Sequence, residues 1–147
     1  MAIFRSEFVK VNGTPAQVRE KLTHPELLGD IVEKMRGTAG ELSPKVADAI
    51  DKIQFGEGTI SIQAGPVGTI TFLLIDDDNP DVVTYSAQGS PVPLKVMVEV
   101  RPQGDLAEAC TLIDAQIPVF MKGMVAKPMQ QAVDMFADLL KKIPSWA

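Results

Sequence analysis

The spacing of apolar residues changes twice along the chain, and these changes divide it into three stretches. Ile3 to Val11 is rich in β-branched and aromatic residues in loose alternation, and Asn12-Gly13 breaks the run, so it reads as a first strand. Thr14-Pro15-Ala16-Gln17 then supplies a capping hydroxyl, a proline at the first helical position and a glutamine three residues after the cap. These groups satisfy the orphan amides of a helix start, and Val18 and Leu22 share the face that follows. A second start at Thr23-His24-Pro25-Glu26 precedes Leu28, Ile31, Val32 and Met35 at helical spacing, so two short helices in tandem are expected. Arg36 to Leu42, with Gly37 and Gly40, reads as a loop, and Ser43-Pro44 caps a further short helix carrying Val46 and Ile50.

From Ile53 onward the period shortens. Strands are expected at Thr59 to Ala64, Val67 to Ile75, Val82 to Gln88, Pro93 to Arg101 and Ala107 to Phe120. Turns fall at Gly65-Pro66, Asp76 to Pro80, Gly89-Ser-Pro91 and Pro102-Gln-Gly104. Connections this short force antiparallel pairing, because a parallel pair needs a crossover of a dozen or more residues. With the first strand this makes an antiparallel sheet of six or seven strands. Leu94, Val96, Val98 and Val100 alternate with Lys95, Met97, Glu99 and Arg101, so one face of the sheet needs a cover.

The segment from Pro118 to Ile143 is the element long enough to supply it. At 100° per residue, Met121, Met124, Val125, Pro128, Met129, Ala132, Val133, Met135, Phe136, Leu139, Leu140 and Ile143 share an arc of roughly half the circumference. Lys127, Gln130, Gln131, Asp134, Asp138 and Lys141 lie opposite. Pro128 predicts a kink, or a helix proper that begins near Lys127, and Pro144 ends it.

Composition narrows the function classes. A chain of 147 residues fits one domain over residues 1–147, and a domain of this size buries roughly 68–70% of its unfolded surface, enough for a core without metal or disulfide. With a net charge of −5 and no basic cluster to reverse it locally, the surface as a whole is expected to repel phosphate backbones and anionic membranes, which argues against nucleic acid as a partner. Cys110 is the one cysteine, so an internal disulfide is impossible and a reducing compartment is compatible. No apolar leader opens the chain and no run is long enough for a membrane span, so the expectation is a cytoplasmic protein without integral membrane association.

The order strand, two short helices, antiparallel meander and long C-terminal helix resembles the helix-grip fold of the START-like or SRPBCC superfamily, in particular small bacterial polyketide cyclase-like members. The likeness is carried by Phe4-Arg-Ser-Glu-Phe-Val-Lys-Val-Asn-Gly-Thr-Pro-Ala-Gln-Val18 and by the stretch from Ile117 through Phe120, Gly123 and Pro128 to Phe136. The resemblance implies an α+β fold: a curved six- to seven-stranded sheet wrapped around the closing helix, with an apolar cavity between them. Its expected lining is Tyr85, Val98 and Ile113 from the strands and Met121, Met124, Val125, Met129, Ala132 and Phe136 from the helix. Unbranched methionine suits a surface that adapts to its ligand, and equally an irregular core.

Three function classes follow. The first is binding or transfer of a hydrophobic or amphipathic small molecule, lipid-like or aromatic. The second is a cyclase or dehydratase, with Tyr85 or a strand carboxylate as acid or base. The third is a partner-binding module, whose sign would be an exposed apolar patch near Phe120 to Val125 or Trp146. Tyr85 shares parity with Val83 and Ala87 and so points inward, whereas alternation turns Asp114 and Gln116 outward; Glu7 and Ser6 are further polar strand residues. The first turns of the helix, Met121 to Pro128, are where an opening is expected, and Lys122 there could meet a headgroup.

No established catalytic signature, cofactor motif or metal set stands out. His24, the sole histidine, reads as a helix-entrance residue. Asp76-Asp77-Asp78-Asn79 lacks the glycine and distal glutamate of a calcium loop, and Gly37-Thr-Ala-Gly40 lacks the Gly-Lys-Ser/Thr of a phosphate loop. Ligand identity and oligomeric state are not written in these patterns.

Overall fold

The structure, a computed structural model, describes residues 2–36, 51–63, 69–75, 81–88, 93–143 and 146. The strands are β1 (Ala2–Arg5), β2 (Val9–Val11), β3 (Ile53–Gly56), β4 (Thr59–Gln63), β5 (Thr69–Ile75), β6 (Val82–Gln88), β7 (Leu94–Gln103) and β8 (Leu106–Ala115). The helices are α1 (Pro15–Thr23), α2 (Pro25–Arg36) and α3 (Val119–Lys142). All strand pairs are antiparallel, in the order β1-β8-β7-β6-β5-β4-β3, with β2 also on β8. The expected loop and helix between Gly37 and Ile50 lie outside the described residues, as do the turns at Gly65-Pro66, Asp76 to Pro80 and Gly89 to Pro91.

Both helix starts form as the sequence dictates. Thr14 Oγ1 accepts from the Gln17 amide at 3.2 Å and Gln17 Oε1 accepts from the Thr14 amide at 3.0 Å, closing a capping box with Pro15 behind it. At the next start the His24 carbonyl accepts from Leu27 and Leu28, and Leu28 and Val32 turn into the core.

The first strand is two strands. Arg5 pairs with Leu112 and Val9 with Ala109, so Ser6, Glu7 and Phe8 stand opposite only Thr111 and Cys110. That one-residue excess is a β-bulge, and it reverses the parity of the strand: Phe4 packs inward before it, Val9 and Val11 after it. Ser6 replaces the lost ladder bonds, its Oγ accepting from the Thr111 amide at 3.0 Å and donating to the Glu7 carbonyl at 2.9 Å. Arg101 stacks over the Phe8 ring at 3.6 Å and pairs with Glu108, which holds the bulge against the outer face of the sheet.

Three other boundaries differ from the sequence reading. Ile53–Gly56 forms an additional strand at the sheet edge, so eight strands are present among the described residues. Pro102 and Gln103 belong to β7, and the turn is Gly104-Asp105, with Gly104 at φ +62°, a conformation costly for a residue with a Cβ. The last strand ends at Ala115 rather than Phe120, and the helix begins at Val119 rather than near Lys127. Pro118 has no amide to extend the ladder, whereas Pro128 removes only one bond from a helix long enough to run on through it. Ile143 ends the helix in extended backbone, as a residue before proline does.

The core lies between the concave face of the sheet and the helices, and α3 packs against β1, β2 and β8. Trp146 seals one end. It is fully buried, its amide donates to the Asn12 carbonyl, and an added Cβ on Gly13 would lie 2.5 Å from its own Cβ.

Candidate functional site

Alternation along the strands brings one apolar set to the concave face, and where the sheet faces the tandem helices it leaves a cavity of about 90 Å³. Counting the space out to its open side, the cleft spans about 700 Å³. Its walls come from every layer: Leu22, Leu28 and Val32 of the tandem helices, Ile53, Phe55, Ile60, Ile62 and Phe72 of β3 to β5, and Tyr85, Val96, Val98 and Thr111 of β6 to β8. Phe136, Leu139, Leu140 and Ile143 close it from the second half of α3 and its cap.

Among the described residues only two lining side chains carry polar atoms, and both are already bonded. The Tyr85 hydroxyl donates to the Leu22 carbonyl, one of those at the end of α1 with no intrahelical partner. Burial, and secondarily the negative charge of Glu26, push the Tyr85 phenol well above its ordinary pKa. Thr111 Oγ1 donates to the Val133 carbonyl at 2.5 Å and so ties the sheet to the closing helix. Neither group is placed to exchange a proton with a ligand; both build the wall. The inner space is apolar in character: far larger than the ~10–15 Å³ one water requires, yet, among the described residues, without the free polar partners that hold water.

Of the expected cavity residues, the structure brings Tyr85, Val98 and Phe136 together in the lining. Ile113 is buried in the adjoining core, and Met129 and Ala132 are partly buried against that core, but none of the three borders the cavity. Met124 is 74% exposed, because its position lies at the margin of the helix's apolar arc, where the neighbouring elements do not cover it. The side chains of Met121, Lys122 and Val125 lie outside the described residues. The lining comes from the second half of the helix, not from the expected opening at Met121 to Pro128. The inward spacing of Leu28 and Val32, and the parity of Ile60, Ile62 and Phe72, were the available signals for the residues the sequence reading did not assign to the cavity.

The remaining candidates are structural or lie on the surface. Asp114 is half-buried on the convex side, and Gln116 and Glu7 are exposed. Cys110 donates to the Ser6 carbonyl at 3.1 Å behind the bulge, and burial pushes its thiol up, away from the thiolate a nucleophile needs. His24 is exposed, with Nδ1 3.6 Å from Glu26. Among the described residues no three His, Cys, Asp or Glu side chains cluster as metal ligands, and no helix is long and apolar enough to cross a membrane. Asp76 to Asn79 and Gly37 to Gly40 lie outside the described residues.

No family model and no curated protein sequence matches the chain. Solved structures do. Norcoclaurine synthase from Thalictrum flavum matches at TM-score 0.58 and 13% identity, over 96% of this chain and 87% of that one. The same enzyme in complex with dopamine and hydroxybenzaldehyde matches at TM-score 0.57 and 15% identity, over 96% of this chain and 84% of that one. A protein from Bacillus halodurans matches at TM-score 0.58 and 13% identity, over 97% and 96% of the two chains. The chain thus has the helix-grip, Bet v1-like fold of the START-like and SRPBCC proteins, an antiparallel curved sheet with a long C-terminal helix.

Proposed function

We propose that the protein binds a small apolar molecule, or the apolar end of an amphipathic one, between the sheet and the second half of α3. The observation that carries this reading is the cavity wall, where Tyr85 and Thr111 are spent on helix carbonyls and every other described lining side chain is apolar. Such a wall favours a ligand by removing its surface from water, at roughly 25 cal/mol per Å², and offers it no charge partner. The volume sets the scale. Apolar cavities of about 150 Å³ take a single benzene ring, so the space of about 90 Å³ admits a short or single-ring group once its walls shift slightly outward.

The bound dopamine and hydroxybenzaldehyde of the Thalictrum enzyme are one-ring compounds, which agrees with that size class. The cyclase or dehydratase reading is less well supported, since it needs a free acid or base facing inward and Tyr85 is already a donor to Leu22.

The reading is tested by methyl NMR and native mass spectrometry of the purified protein titrated with single-ring aromatics and medium-chain fatty acids. Saturable shifts of the Ile53, Leu139 and Leu140 methyl groups are expected, and Val96→Phe, which fills the cavity, should remove them while the fold persists. If no compound of either class shifts those methyl groups, the proposal falls.

A further inference from the structure

The cavity of about 90 Å³ must grow to hold one aromatic ring, since apolar cavities of about 150 Å³ take benzene. Its walls differ in how they are held. The strand wall is fixed by antiparallel ladders from β4 to β8. Tyr85 bolts it to the end of α1, and Thr111 bolts it to α3 at Val133. Phe136, Leu139, Leu140 and Ile143 line the cavity beyond that bolt. Among the described residues, the next hydrogen bond from this stretch to the rest of the protein comes at its end, where Asn12 Nδ2 donates to the Ile143 carbonyl at 3.3 Å.

Trp146 fastens that end. Its amide donates to the Asn12 carbonyl at 3.3 Å, so Asn12 holds both Ile143 and Trp146 through bonds at the long end of the ordinary range. The indole rests on Gly13, where an added Cβ would lie 2.5 Å from the Trp146 Cβ and 3.0 Å from its Cγ. Among the described glycines only Gly58 and Gly104 have positive φ, so Gly13 serves the close approach of the ring and not a backbone need. The seat is incomplete in one respect. The indole Nε1 is buried without a hydrogen-bond partner, the one such side-chain nitrogen or oxygen among the described residues. Burial of the ring holds the seat closed, while the orphan N–H, which regains a partner in water, favours release.

We propose that Trp146 is a latch on the yielding wall of the cavity: a ring-sized apolar ligand displaces Ile143 outward, and the same movement lifts the indole from Gly13. This rests on the cavity reading and adds that occupancy is coupled to exposure of Trp146. Such coupling is reciprocal, so loosening the latch must strengthen the binding of ring-sized ligands. A ligand small enough for the existing space needs no such movement.

Toluene and xenon serve as the large and small probes, and Trp146, the only tryptophan, reports on its own seat through its emission. Toluene should shift the emission maximum to the red and raise acrylamide quenching several-fold, whereas xenon should leave the maximum in place. Gly13→Ala, which crowds the seat, should show the red-shifted emission without ligand. By methyl NMR at Leu139 and Leu140 it should bind toluene several-fold more tightly than wild type, with xenon affinity unchanged. Asn12→Ala, an exposed position outside the lining, should act in the same direction to a smaller extent and decides the matter if circular dichroism shows Gly13→Ala unfolded. The latch alone is overturned if toluene binds without moving the emission, if neither variant moves it, or if a variant exposes the indole yet binds toluene no more tightly. If neither probe shifts the Leu139 and Leu140 methyl groups in any of the three proteins, the cavity reading falls and the latch with it.

Discussion

In the second half of α3, Val133, Leu139 and Leu140 are buried against the sheet and tandem helices, while in its first turns Val119, Phe120 and Met124 stand in solvent. Both halves are rich in large apolar residues and both are helical. Helical phase and neighbours decide the difference. The later residues repeat on one face and meet elements on the concave side of the sheet, and Thr111 fixes that contact by donating to the Val133 carbonyl. The earlier residues follow directly on β8, where no described residue covers them, although Val119 shares its helical phase with the buried Ala137. One continuous helix thus carries an internal wall and an external apolar patch, so apolar content alone does not tell core from surface.

Four measurements would break or sharpen that contrast. Leu139→Ala should cost about 2–5 kcal/mol in chemical denaturation, as a buried large-to-small change does; a cost below about 1 kcal/mol would mean that the second half is not packed as described. Next comes pH. The folded state holds the Tyr85 phenol neutral, with its pKa raised by burial and then by Glu26. Its contribution is therefore full below the ordinary value near 10 and is lost as pH rises from there through the folded value. Since Tyr85 is the only tyrosine, phenolate absorbance and unfolding should rise together in alkali, and Tyr85→Phe should flatten this part of the pH profile.

Thr111→Val should cost about 1 kcal/mol by removing the tie to Val133, and amide exchange should quicken in the second half of α3 rather than the first. Met124→Ala should change stability by less than about 0.5 kcal/mol; a loss like that of Leu139→Ala would erase the distinction between the halves.

The sequence shows the scaffold through local rules. The capping box at Thr14 and Gln17, the alternation of Leu94 to Val100 and the exact span of β6 all follow from spacing and capping chemistry. The bulge at Ser6 left a readable sign, the parity conflict between Phe4 and Val9, but a pairing register is a property of two strands and one strand cannot display it. The same holds for the cavity. Tyr85 is legible as inward-facing, yet its role in finishing α1 depends on the Leu22 carbonyl, 63 positions away in sequence. Ile117-Pro-Val-Phe120 reads as a strand from its residue types, and the structure overrides them because Pro118 cannot extend the ladder.

The seat of Trp146 on Gly13 also bears on how the chain is made. A ribosome delivers β1, β2 and the Asn12-Gly13 corner first, but their partners, β8 and the indole, emerge about a hundred residues later. At ~5–20 residues per second the opening strands spend several seconds without the edges they will pair with. Slow, long-range closure of this kind exposes a nascent chain to wrong pairings. The early capping box and tandem helices, which need only their neighbours, are the part of this protein able to form while it waits.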